Sequence, residues 1–186
     1  MAAEVRDLFE PMAAGLLVEE DFIDPSEEHS LAGHIQALDL SPFRFQRWTG
    51  HRLTHSFGWR YDFEDASFRE TEPIPGWLQP VREQAARLAE VEPAAIAHAL
   101  ITRYDPGAGI GWHRDRPVFD KVIGISLLSE AVLRFRQRTP AGFRRQSISL
   151  QPRSAYLLSD EVRREWEHSI APGAELRLSI TFRTLR

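Results

Sequence analysis

The chain of 186 residues is long enough to bury a full core and fits a single domain; 27% of it is charged and its formal net charge is −4. It contains no cysteine, which excludes disulfide frameworks, thiolate zinc sites and iron–sulfur clusters, so any metal must be held by histidine and carboxylate. The start Met1-Ala2-Ala3-Glu4-Val5-Arg6-Asp7 lacks the basic flank and apolar run of a signal peptide, and no stretch approaches a membrane span, so a soluble cytoplasmic protein with no membrane partner is expected.

Along the chain, the first dozen residues allow a short helix, and Gly15-Leu16-Leu17-Val18 reads as a strand leading to Phe22-Ile23. Asp24-Pro25-Ser26-Glu27 has the form of a helix start, with Asp24 as N-cap, Pro25 at the first position and Glu27 closing a capping box. Leu31, Ile35 and Leu38 follow at helical spacing, and Ser41-Pro42 is expected to end the helix. The segment from Phe43 to Phe63 interleaves Trp48, Phe57, Trp59 and Tyr61 with Arg44, Arg47, Arg52 and Arg60; turns at Thr49-Gly50 and near Gly58 predict two short strands. Such a mixture could grip phosphates and stack on a base, or it could close one end of the core beneath a cover of arginines. A linker from Glu64 to Pro75 leads to a second helix from about Gly76, buried through Trp77, Val81, Ala85 and Leu88.

From residue 96 the pattern changes to short strands, expected near 97–104, 110–115, 121–128, 131–137, 143–150, 154–158, 166–170 and 175–184. Asp105-Pro106-Gly107-Ala108-Gly109 and Thr139-Pro140-Ala141-Gly142 are turn sequences. The expected class is therefore mainly β within α+β: a double-sheet jelly-roll core of about eight antiparallel strands with two flanking N-terminal helices. No repeat or second domain is visible, so residues 1–95 and 96–186 read as two parts of one domain, 1–186.

His113 and Asp115 are two apart and share a face if that segment is extended. With His168 they offer two imidazoles and a carboxylate, a set that leaves about three of six positions open on iron(II). Each piece alone is a weak signal, because a His-x-Asp pair can be a surface hydrogen bond and a lone histidine in a β-sandwich is more often structural. The last strand adds a second pattern: Arg177, Ser179, Thr181 and Arg183 alternate with Leu178, Ile180 and Phe182. The guanidiniums stand either on a solvated face or in position to grip carboxylates in bidentate fashion. An open metal beside such arginines suits a 2-oxo dicarboxylate, which chelates through its keto oxygen and near carboxylate. Charge is unevenly spread, with 8 basic and 18 acidic side chains in residues 1–100 and 15 and 9 in 101–186. A basic C-terminal half either favours a polyanion or solvates strand faces.

The run Arg103-Tyr104-Asp105-Pro106-Gly107-Ala108-Gly109-Ile110-Gly111-Trp112-His113-Arg114-Asp115, followed by Glu165-Trp166-Glu167-His168-Ser169-Ile170 and by Arg177 through Arg183, resembles the AlkB family of iron(II)- and 2-oxoglutarate-dependent dioxygenases over about residues 97–186, and more loosely over 15–90. The resemblance implies a double-stranded β-helix with Fe(II) on His113, Asp115 and His168, and with 2-oxoglutarate and O2 as cosubstrates. It implies Arg177 on the distal carboxylate, Arg183 near the iron-bound end, and Tyr104 hydrogen-bonded to the cosubstrate. Thr102 and Ser179 stand where the family often has asparagine; both keep a hydrogen-bonding group of shorter reach. The family's usual reaction oxidises an alkyl group on nitrogen, commonly of a nucleobase in DNA or RNA, which must be single-stranded or flipped to arrive. Segment 43–63 takes the place of the substrate lid, making Arg52, His55, Phe57, Trp59 and Tyr61 candidate substrate residues. Two other readings stay open: the same chemistry on a protein side chain or small molecule, and a binding module without turnover.

Overall fold

The computed structural model describes residues 13–45, 48–61 and 68–186. The short helix expected in the first dozen residues lies outside these, as do residues 62–67 of the expected linker, Arg47, and the side chains of Arg44, Trp48, Arg60 and Tyr61. After β1 (Leu16–Glu19) comes α1 (Pro25–Gln36), opened by the predicted capping box. Asp24 Oδ1 accepts from the backbone N–H of Ser26 at 2.7 Å and of Glu27 at 2.8 Å, while the Glu27 carboxylate accepts from the Asp24 N–H at 3.1 Å. The helix closes at Gln36, earlier than expected, and Ser41-Pro42 instead opens β2 (Ser41–Phe45). Next come β3 (Trp48–Phe57), β4 (Trp59–Tyr61) and β5 (Phe68–Glu70). Thr49-Gly50 is therefore strand and not turn, with Thr49 paired to Arg44 and Trp48 to Phe45. Gly58 is a turn as predicted: its φ of +79° and an approach that would leave a Cβ 2.0 Å from the Ala97 carbonyl both demand glycine. A 3-10 turn, Gly76–Leu78, then leads into α2 (Gln79–Leu88).

The eight strands expected after residue 95 are present: β6 (Ile96–Tyr104), β7 (Ile110–His113), β8 (Phe119–Leu127), β9 (Ala131–Thr139), β10 (Gly142–Leu150), β11 (Ala155–Leu158), β12 (Glu167–Ile170) and β13 (Arg177–Leu185). A short helix, α3 (Asp160–Glu165), separates β11 from β12. Sequence periodicity misses it because six residues are too few to show a 3.6-residue repeat; Ser159 before Asp160-Glu161 was its one local signal.

Among the described residues, seven strands form one sheet in the order β1-β11-β8-β13-β6-β3-β2, and four form a second in the order β10-β9-β12-β7. The two close on each other as a jelly roll, with β4 and β5 a separate ribbon. The large sheet has a helix side and a cavity side. On the helix side Leu178, Ile180 and Phe182, all 0% exposed, pack with Ile101, Ile123 and Ile125 against Ile35, Val81 and Ala85. Burying a side chain of this kind stabilises by roughly 1.5–3 kcal/mol, so β13 is pinned and its alternate residues are committed to the cavity. Between the sheets a second cluster joins Leu133, Phe135 and Ile170 to Val122, Leu158 and Trp166. No helix among the described residues is long and apolar enough to cross a membrane.

Candidate active site

Strand β13 lies between β8 and β6, so its cavity-side residues form the floor. Register sets Arg177 opposite Tyr104, Ser179 between Thr102 and Ser126, and Arg183 opposite His98. Arg177, Ser179, Thr181 and Arg183 are all buried, 5–9% exposed, which rules out the solvated-face reading of this strand.

The small sheet supplies two imidazoles. His113 and His168 are register partners on β7 and β12, with ring centroids 4.3 Å apart. Between these strands the register slips, since His168 pairs with His113 but Ile170 pairs with Ile110. The extra residue on β7 lets both Ile110 and His113 face inward while Trp112 turns toward the outer face, beneath Arg134 and Arg136. His113 Nδ1 donates to the Gly111 carbonyl at 2.9 Å, which fixes the tautomer and leaves Nε2 as a lone-pair donor.

Asp115 does not share a strand face with His113, because β7 ends at His113. Side chains hold it instead. Arg183 donates through Nε and Nη2 to Asp115 Oδ1, at 2.9 and 2.7 Å, and through Nη1 to His98 Nδ1 at 3.2 Å. From α3, Arg163 donates to the backbone carbonyls of Asp115, Arg116 and Phe119 at 3.3, 2.7 and 2.6 Å. The ligand atoms of His113, Asp115 and His168 lie within 4.8 Å of one another. Two ligands each about 2.2 Å from one ion are at most about 4.4 Å apart, so only a small adjustment completes a site.

Electrostatics favour the same arrangement. Burial pushes the Asp115 carboxyl up, but Arg183, His168, His113 and Arg163 together outweigh it and hold the group well below the usual carboxylate range. Burial, reinforced by His113 and the nearby guanidiniums, lowers His168 to about 3, so its Nε2, 3.5 Å from Asp115 Oδ2, belongs to a neutral ring and the contact is no ion pair. Asp115 Oδ2 is buried and accepts no hydrogen bond, an arrangement that a divalent cation would complete. Arg177 shows the matching deficit for an anion: Nε donates to Ser126 Oγ at 3.0 Å and the guanidinium lies 4.9 Å from the Tyr104 ring centroid, yet Nη1 is buried without a partner. A carboxylate fits there.

These buried imidazoles make stability depend on acid. Burial and Arg183 hold His98 well below the ordinary histidine range, and His168 is lowered too. Their folded pKa values lie below the unfolded value of about 6.5, so the unfolded chain takes up protons first as pH falls and the stability present above pH 6.5 is lost below it. Urea unfolding of the metal-free protein is expected to lose on the order of 3 kcal/mol between pH 7 and pH 5. An unchanged midpoint across that range would show both rings protonated in the fold.

The cavity between the sheets measures about 1390 Å³. His113, Asp115, His168, Arg183, Tyr104 and Thr102 line it, while Arg177 and Ser179, on the same side of β13, are buried and outside the lining. Of the candidate lid residues, Arg52 (7% exposed) and His55 line it, the latter 2.8 Å from Glu72 Oε1. Phe57 lies instead in the helix-side core, edge-on to Trp77 at 6.3 Å. Trp59 sits on β4 outside the cavity lining. The lining residues missed by the sequence reading include His98, Arg163, Tyr156 and Thr54. His98 shares strand parity with Thr102 and Tyr104, a signal that was available. Tyr156 lies over Gly124, where a Cβ would come within 2.4 Å of its ring, and burial pushes its hydroxyl up to about 12.

A family model described as the 2OG-Fe(II) oxygenase superfamily matches residues 24–183. The chain is 29% identical over 176 residues to the tRNA (carboxymethyluridine(34)-5-O)-methyltransferase alkbh8 of Xenopus tropicalis, covering 90% of this chain but 27% of that protein, so it spans about a quarter of that relative's length. It is 26% identical over 192 residues to Uncharacterized protein L905 of Acanthamoeba polyphaga mimivirus, covering 92% of this chain and 85% of that one. Two solved structures share the fold. OsALKBH1 has a TM-score of 0.75 at 14% identity, covering 94% of this chain and 99% of its own. A Pseudomonas putida prolyl-4-hydroxylase has a TM-score of 0.64 at 15% identity, covering 92% and 93%.

Proposed function

Since the chain belongs to the 2OG-Fe(II) oxygenase superfamily, as an AlkB-like dioxygenase that works with Fe(II), 2-oxoglutarate and O2, we propose that it oxidises an alkyl group on a nucleobase of DNA or RNA. In this reading the whole chain acts as one domain, residues 1–95 supplying helices and a substrate lid and 96–186 the jelly-roll core. His113, Asp115 and His168 hold the iron, which when bound supplies oxygen activation coupled to decarboxylation of the cosubstrate.

The chain's own work is positioning. Arg183 occupies Asp115 Oδ1 and so leaves Oδ2 to face the metal. Arg177 presents its unmatched nitrogen to the far carboxylate of 2-oxoglutarate, with the Tyr104 ring beside it and Thr102 and Ser179 along the same floor. Arg52 and His55 meet the incoming nucleotide. Oxidation of a carbon on nitrogen leaves a hemiaminal, which collapses to the free base and an aldehyde.

The observation that carries the nucleic-acid reading is the charge of the cavity. Among its described lining residues seven are arginines, against Glu72 and Asp115 as acids. Such a mouth draws a phosphate backbone toward the iron and discriminates against a neutral peptide. The alkbh8 relative is named for transfer RNA, but the methyl transfer in its name belongs to a protein more than three times as long. Succinate release across methylated DNA, methylated RNA and methylated peptide provides the test. A methylated oligonucleotide is expected to raise release several-fold over the unstimulated rate; stimulation by peptide alone would overturn the reading.

A further inference from the structure

The outer face of the four-stranded sheet carries a ladder of arginines and aromatic rings that the reaction does not use. Alternation along β9 buries Leu133 and Phe135, 0% and 1% exposed, and turns Arg134, Arg136 and Arg138 outward. The rings lie among these cations. The Arg136 guanidinium is 4.6 Å from the Trp112 ring centroid and 4.7 Å from that of Phe143. Arg145 and Arg138 stand 5.3 and 5.8 Å from Phe143. Glu167 is the one acid at an outward strand position of this face among the described residues, and it is engaged by Arg136 Nε at 2.6 Å.

Fold stability accounts for only part of the pattern, since Arg136 is paired with Glu167 but Arg145 faces no acid among the described residues. Arg136 and Arg145 are direct register partners, and like charges set opposite each other in a sheet destabilise it. An anion lying across them would reverse the sign of that interaction. The face is also continuous with the cavity: β7 is the edge strand, and Trp112, adjacent to His113, both lines the cavity and lies beneath Arg134 and Arg136. From β7 to β10 there are three strand spacings, about 14 Å. That width spans a short run of nucleotides of a single strand.

We propose that this face is the track for the single-stranded nucleic acid flanking the reactive nucleotide. Arg138 and Arg145 take phosphates, and Trp112 and Phe143 offer rings for base stacking. The inference rests on the nucleic-acid reading of the cavity, and the experiment separates the two. Fluorescence anisotropy would follow an unmodified single strand of about 12 nucleotides, as RNA and as DNA, at salt from about 50 to 200 mM.

In the double variant Arg138→Gln/Arg145→Gln, low-salt affinity is expected to fall at least 10-fold and the slope of log affinity against log salt to flatten by about 1.4, at about 0.7 per lost phosphate contact. Phe143→Ala is expected to lower affinity about 10-fold with the slope unchanged. Succinate release without oligonucleotide should stay at the wild-type rate in both. If wild type binds and the variants bind equally well, the track is overturned while the nucleic-acid reading stands. If wild type binds neither strand at low salt, both fall. Equal wild-type affinity for polyglutamate of the same length, or loss of basal succinate release in either variant, would also overturn it: the first marks a surface for any acidic chain, the second a structural support of the metal centre.

Discussion

Alanine at position 113 is expected to end iron-dependent succinate release from 2-oxoglutarate and to leave the fold standing. The imidazole enters the site at the end of an edge strand, and its Nδ1 is satisfied by the carbonyl of its own strand, so removing it orphans no distant partner. What is lost is one of three converging donors. Removing even an outer partner of a metal ligand costs about 10–100-fold in affinity, so loss of a direct ligand should exceed about 100-fold. Two measurements check this: Fe(II) retained after anaerobic gel filtration, expected to vanish, and the urea midpoint, expected to stay near wild type. Full turnover by His113→Ala would remove the residue from the site.

Arg177 is expected to show the second largest effect, and on a different constant. Its guanidinium is buried, braced by Ser126 and the Tyr104 ring, with one nitrogen unmatched. Loss of a charge-assisted fork costs about 1.5–3 kcal/mol, so Arg177→Ala should raise the apparent KM for 2-oxoglutarate roughly 10–100-fold. Arg177→Lys should raise it less, because a point charge replaces a planar fork. Iron retention should be unchanged in both, since the side chain touches none of the metal donors. Equal and negligible shifts in KM would exclude it from cosubstrate binding.

Much of this was legible because β-strands advertise parity. Alternation in β13 separated Arg177, Ser179 and Arg183 from Leu178, Ile180 and Phe182, and burial of both faces follows that division. The same rule applied to β3 sets Arg52, Thr54 and Ser56 on one side and Phe57 on the other, although His55, of the same parity as Phe57, also reaches the cavity lining. Parity failed where the chain departs from regular pairing. A slip between β7 and β12 sends Ile110 and Trp112 to different faces, and Asp115 is placed by arginines from α3 and β13 after its strand has ended. Those contacts span 48 and 68 residues, and no local pattern encodes them. The capping box was read correctly for the opposite reason: all its partners lie within three residues.

Arg163 ties three carbonyls of the Asp115 loop to one guanidinium. Fixing a residue's backbone costs about 1–2 kcal/mol of conformational entropy, and here the loop incurs that loss when the protein folds and not when an ion arrives. The carboxylate is therefore preorganised: capture and release of iron need not wait for a loop to gather or scatter, and binding strength is not diluted by ordering. Loosening that tether would leave every ligand in place and still weaken the metal, by giving disorder back to the free state.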